Sequence, residues 1–169
     1  MDYGRWCALS DDELRGHDVA EVNLVAASGL PGAELLDLPA LIQKLDDWAA
    51  IVDYGIRRMW RRCGRGEYRE YTPNQYRILV MVTVLQRNLG VLYRAKCVVG
   101  NYDARDSRDN FLHGPLTGHG GNCVALPFLY VAVGRRLGFP LFIAQAKEHL
   151  FVRWDGDCTL GERLLSRAF

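Results

Sequence analysis

Between Gly120 and Gly138 the chain reads Gly-Gly-Asn-Cys, then an apolar run from Val124 to Val133, then Gly-Arg-Arg-Leu-Gly. That pattern leaves few options. Asn122 is a strong N-cap type, because its side-chain oxygen accepts from the free N–H groups of a first helical turn. Arg135 and Arg136 suit the negative end of a helix, and Gly138 suits the left-handed residue that terminates it. A helix that is apolar on nearly every face is stable only when it is buried in the middle of a domain. Cys123 then stands at the positive end of a central helix, where unpaired amides favour a thiolate over a thiol.

The remainder of the chain is able to bury such a helix. Its 169 residues make one ordinary domain. Half the residues are hydrophobic (49%) and a quarter charged (24%), which excludes a disordered chain. A net charge of +1 excludes a globally basic nucleic-acid binder. The cysteines are Cys7, Cys63, Cys97, Cys123 and Cys158, an odd set without a CxxC pair. They read as reduced thiols of a cytoplasmic protein. The charged N-terminus lacks the apolar core of a signal peptide, and no apolar run reaches the ~20 residues that span a bilayer.

The first part of the chain reads as helical. Residues 1–16 read as a polar lead-in with a few apolar anchors and a short helix. Asp18 caps a helix over Val19–Ala27, which Gly29 and Pro31-Gly32 stop. From about Pro39 to Arg62, apolar residues from Leu41 through Leu45, Trp48, Val52 and Ile56 to Cys63 follow helical spacing. The arginines Arg57, Arg58, Arg61 and Arg62 complement the dipole of its last turns; a phosphate-binding or nucleic-acid patch is the other reading. Thr72-Pro73-Asn74-Gln75 is a capping box opening a helix to Asn88, with Ile78, Leu79, Val82, Leu85 and Leu89 expected inward. Residues 91–122 are mostly loop, and a loop that long in a compact domain is usually functional. Within it, Asp106-Ser107-Arg108-Asp109 is expected to tie the loop down through ion pairs and Asx turns.

After the central helix the period changes to two. Phe139–Ala146 reads as a strand, Lys147-Glu148 as a turn, and His149–Trp154 as a second strand. Asp155-Gly156 is a further turn signal. Residues 1–90 are thus a helical part and 91–169 a core of Cys-bearing helix plus strands, together one α+β domain.

Cys123 opening a helix and His149 opening a strand are candidates for a nucleophile and its base, which must lie within hydrogen-bond reach. A buried small hydrophobe is the commoner fate of a lone Cys. The Cys123 backbone N–H is the natural donor to an oxyanion, with the amides of Asn122 or Gln75 as second candidates. His113, His119 and Cys123, with Cys158 or His149, match no standard zinc spacing.

The segment from Asp106 to Trp154 resembles the bacterial transglutaminase-like proteins of the papain-type cysteine superfamily. The residues that carry the likeness are Asp106-Ser107-Arg108-Asp109, Phe111-Leu112-His113-Gly114, Gly121-Asn122-Cys123, Pro127, Leu129–Ala132, Gly134–Gly138, Pro140 and His149–Trp154. They cover about a third of the chain. The resemblance implies a papain-like/transglutaminase-like fold with a helical N-terminal half and a central helix packed on a small antiparallel sheet. It implies Cys123 as nucleophile and His149 as general base of thiol-dependent acyl transfer, either peptide or amide hydrolysis or transfer to an amine. A peptide or protein substrate follows; no cofactor, metal, nucleic acid or membrane does.

Relatives continue with a strand whose acidic residue orients the His. Here Gly161-Glu162-Arg163 is similar to the start of that strand and the remainder departs from it, so the C-terminus is expected to be truncated or altered. Asp155 lies ~20 Å along an extended strand from His149. If Asp155-Gly156 closes a two-residue hairpin, Glu162 falls opposite His149, ~5 Å away between Cβ atoms. A short helix over 159–169 is the competing reading. The expected catalytic set is therefore Cys123, His149 and Glu162. The alternative is a catalytically inactive peptide-binding or assembly domain of the same fold.

Overall fold

The computed structural model describes residues 3–62, 71–94, 105–147 and 149–156. Two short helices, α1 (Tyr3–Trp6) and α2 (Asp11–Arg15), lead in. Helix α3 (Val19–Ala27) starts at Asp18, whose carboxylate accepts from the Ala20 N–H at 2.9 Å. Helix α4 (Leu38–Arg62) has a cap the sequence reading overlooked, with Asp37 accepting from the Ala40 N–H at 3.0 Å. Its face of Leu41, Leu45, Trp48, Ala49 and Val52 is buried, as the spacing predicts. At its far end Arg57 pairs with Asp53 one turn back, which is the solvated ion-pair pattern of an exposed helix.

Helix α5 (Pro73–Thr83) opens with the expected capping box. Thr72 Oγ accepts from the Gln75 N–H, and Gln75 Oε1 accepts from the Thr72 N–H at 2.9 Å. A π-helical turn, Val84–Asn88, then continues it. The buried face differs in part from the expected one. Tyr76, Val80, Met81, Val84 and Leu85 are in the core, whereas Ile78 and Val82 are only half-buried and Leu79 is exposed. Gly55 on α4 admits Val80 and Val84. A Cβ there would lie 3.2 Å from a Val84 methyl and 3.4 Å from a Val80 methyl, so the missing side chain makes a notch that takes both valines. Ile78 and Leu89 pack against the edge of the core, as expected, while Val82 is only half-buried.

Between α5 and the central helix lie a 3-10 turn (Ser107–Asp109) and α6 (His113–Leu116), short ordered pieces in a stretch expected to be mostly loop. Helix α7 (Ala125–Arg136) is the predicted central helix. Leu126, Leu129, Val131, Ala132 and Val133 are buried on several sides at once. Gly134 lets the hairpin approach, since a Cβ there would lie 2.3 Å from a Leu141 methyl. Gly138 has a positive φ of 72°, which ends the helix as its sequence position implied.

The hairpin pairs β1 (Leu141–Ala146) with β2 (His149–Trp154) antiparallel, from Leu141 opposite Trp154 to Ala146 opposite His149. Leu141, Ile143, Val152 and Trp154 pack into the core beside α7. Pro140 continues the ladder by accepting from the Asp155 N–H. The result is an α+β arrangement of helices around a buried helix, with a two-stranded sheet on its side. Among the described residues no helix is long and apolar enough to cross a membrane.

Arg136 fastens the end of α7 to the N-terminal helices. Its guanidinium donates to Asp18 and to Asp46, each at 2.6 Å. Burial works against its charge, and the bonds to Asp18 and Asp46 outweigh that, so its pKa lies above the ordinary arginine value. Replacing Arg136 by Leu leaves two carboxylates without their cation. Both are partly solvated, so the expected cost is modest, ~1–2 kcal/mol. Thermal unfolding should show a Tm lower by ~2–4 °C per kcal/mol; an unchanged Tm would show that the clamp contributes nothing.

Candidate active site

Asn122 starts α7 and is itself held on every side. Its Oδ1 accepts from the N–H groups of Val124 (2.7 Å) and Ala125 (3.2 Å), which is the capping role its type predicts. Its Nδ2 donates to Asn110 Oδ1 at 2.8 Å, and its N–H donates to the Asp109 carbonyl at 3.2 Å. The residue is buried. Cys123 follows directly, half-buried and with a free thiol. No described residue accepts from its backbone N–H. That N–H therefore remains as a donor beside the sulfur.

The loop that grips Asn122 is held by its own polar residues. Asp106 accepts from the Arg108 N–H at 3.0 Å and from the Arg108 guanidinium at 2.9 and 2.7 Å. That guanidinium holds the Asp106 carboxyl at about 2. Ser107 donates to the Pro31 carbonyl at 2.7 Å and lies 3.1 Å from the Nε2 of buried His113. Asn23 accepts from the Leu112 N–H at 2.9 Å. The buried Asp109 carboxylate lies 2.9 Å from His119 and 3.4 Å from Arg94. Arg94 also ties the backbone, since its N–H donates to the Gly121 carbonyl, while the Gly121 N–H donates to Leu92. Gly114 allows the tight fold: a Cβ there would fall 1.8 Å from the Arg108 carbonyl oxygen.

Cys123 and His149 line one cleft of about 440 Å³. One side is formed by α7, with Leu126, Pro127 and Tyr130. Helix α5 contributes the half-buried Ile78 and Val82. The hairpin supplies Phe151, Val152 and Trp154. His149 is exposed at the first position of β2. Strand alternation puts its side chain on the face of Phe151, opposite to that of the core-packed Val152 and Trp154. It reaches the cleft because it stands at the turn end of the hairpin. No hydrogen bond joins Cys123 to His149, and none reaches the His149 ring from any described residue.

The other candidates fall elsewhere. Glu162 lies outside the described residues. Asp155 is engaged by Arg153 at 2.6 Å and follows an unbroken β2, so it does not orient His149. Gln75 uses its Oε1 as the α5 cap and is not among the described residues that line the cleft; Asn122 lines it and gives one of its two Nδ2 protons to Asn110. His113 and His119 belong to different networks, with Ser107 and Asp109, and do not converge on Cys123. Among the described residues no group of His, Cys, Asp or Glu forms a metal-binding set.

The sequence reading missed Ile78, Val82, Gln86, Tyr93 and Tyr130 as cleft residues. Tyr130 was within its reach, since it lies two helical turns after Cys123 and so on the same face of α7. Comparison with family models, curated proteins and solved structures finds no match to this chain.

His113 gives the loop a pH dependence. Burial pushes its pKa below the ordinary 6.5. The folded state thus binds its proton less readily than the unfolded state does. The stability linked to this residue is whole above the unfolded value and is lost as pH falls through the folded one. Asp106 adds a second loss between the ordinary 3.8 and about 2. Tm should be flat above neutrality and decline below pH ~6.5, with His113→Gln removing the first part of the decline. Parallel Tm–pH curves for the two proteins would contradict this role.

Proposed function

We propose that this protein is a thiol-dependent acyl-transfer enzyme of transglutaminase-like, papain-type architecture. The observation that carries the reading is that Cys123, following a capping Asn at the start of a buried helix, lines the same cleft as His149. In this reading His149 takes the Cys123 proton and the thiolate attacks an acyl carbon. The Cys123 N–H stabilises the oxyanion that forms. The imidazolium then gives its proton to the leaving amine, and a thioester remains on Cys123. Water completes a hydrolysis; a second amine completes a transfer. The motif residues from Asp106 to Trp154 support the family assignment, and Glu162 is the proposed partner of the second His149 nitrogen.

One observation favours a second reading. The His149 side chain shares the outer face of the hairpin with Phe151, away from the core-packed face. A peptide-binding or assembly domain without turnover needs no Cys–His hydrogen bond. Catalytic hydrogen bonds that are open in a free enzyme close in the substrate complex, so a reactivity measurement separates the two.

The test is the rate of iodoacetamide alkylation of Cys123 at neutral pH, followed by peptide mass mapping. His149→Ala should slow it at least tenfold, and Glu162→Gln should give a smaller loss, ~2–10-fold, if its carboxylate holds the imidazole. Slow alkylation that is indifferent to His149 would eliminate the enzyme and leave the binding domain.

A further inference from the structure

The cleft beside Cys123 is mostly apolar along its described lining. Among the described residues that line it there is no Asp, Glu, Lys or Arg. Ile78, Val82, Leu126, Pro127, Val152 and Trp154 give it apolar surface from three elements. A charged side chain entering it would lose hydration and meet no counter-ion among those described residues.

Tyr93, Asn122 and His149 add polar atoms to the lining, and one hydrogen-bonded polar pair stands along α7. Gln86 Nε2 donates to the Tyr130 hydroxyl at 3.0 Å. Burial pushes the Tyr130 pKa above the ordinary tyrosine value, so the hydroxyl keeps its proton. That proton has no acceptor among the described residues. A ligand that displaced water from it without supplying an acceptor would leave a costly unpaired donor. Tyr130 lies ~10 Å from Cys123 along the axis of α7. An extended peptide covers that distance in about three residues. A plain alkyl chain would fill the apolar wall yet leave the hydroxyl proton unpaired.

We propose that the acyl donor is a peptide laid along α7 in extended form. Its bulky, uncharged apolar side chain fills the cleft, and one of its main-chain carbonyls accepts the Tyr130 proton. This inference rests on the acyl-transfer reading of Cys123. Tyr130 and Gln86 are specificity residues in it, distant from the reacting atoms.

The probes are acetyl-tripeptidyl chloromethyl ketones, in which a thiolate displaces chloride. Phe, Asp or Lys is placed at each position in turn on an alanine background. Each rate is divided by the iodoacetamide rate of the same protein. At one position Phe should react at least about tenfold faster than Asp or Lys. Tyr130→Phe should lower the ratio for that probe about five- to tenfold. Val82→Asp should shift the preference from Phe towards Lys. Equal ratios for Phe, Asp and Lys at all positions would overturn the apolar assignment. A decanoyl chloromethyl ketone that matched the Phe probe, with no effect of Tyr130→Phe on either, would overturn the peptide. If iodoacetamide is slow whatever stands at 149, the acyl-transfer reading fails and this inference falls with it. If iodoacetamide is fast and the probe ratios are equal, this inference fails alone.

Discussion

The arrangement depends on the five hydrogen bonds of one buried side chain and backbone, those of Asn122, whose carbonyl also accepts from the Leu126 N–H. Its oxygen closes the first turn of α7, its amide joins Asn110, and its N–H joins Asp109. A helix start and a loop are thus held by a single residue. An N-cap contributes ~1 kcal/mol in general, but here the same residue also fixes where the chain before Cys123 runs. The loop is rigid enough to serve because its charges are satisfied internally. Arg108 answers Asp106, and Arg94 and His119 answer Asp109. The residues that confer the reactivity proposed for Cys123 are therefore mostly structural ones.

The cleft itself is a consequence of packing. Gly55 lets Val80 and Val84 approach α4, and the half-buried Ile78 and Val82 of the same helix line the cleft. Gly134 draws Leu141 against α7, which brings the hairpin across the helix. Between those two close approaches an apolar space remains, with Cys123 and His149 on its lining. Two glycines far from the thiol thus shape what enters beside it. Hydrophobic burial drives both contacts, and the small residues decide which neighbouring side chains are left over to form a surface.

What the sequence revealed was whatever local chemistry dictates. The caps at Asp18, Thr72 and Asn122 and the glycine at 138 marked helix ends where the structure has them. The period of two from His149 to Trp154 marked a strand. The Asp106–Arg108 pair and the Asx turn followed from short polar side chains in a loop. What it concealed was set by tertiary fit. The face of α5 was read in part, with Leu85 buried and Ile78 and Leu89 against the core, while Tyr76, Val80 and Met81 went unnamed because nothing local announces that Gly55 receives Val80 and Val84. Gln75 was offered as an oxyanion donor, but the start of α5 is not among the described residues that line the cleft. Tyr93 and Gln86 reach the cleft from elements whose relative placement no local pattern encodes.

The central claim is that Cys123 carries an acyl group with the help of His149. Trapping that intermediate tests it most directly. The protein is mixed with p-nitrophenyl acetate, nitrophenol release is followed from the first milliseconds, and the acylated residue is located by mass spectrometry after acid quench. The account predicts a burst of about one nitrophenol per chain, with the acetyl group on Cys123. His149→Ala should slow the burst at least tenfold. Release without a burst, or acetyl groups spread over lysines and absent from Cys123, would contradict it.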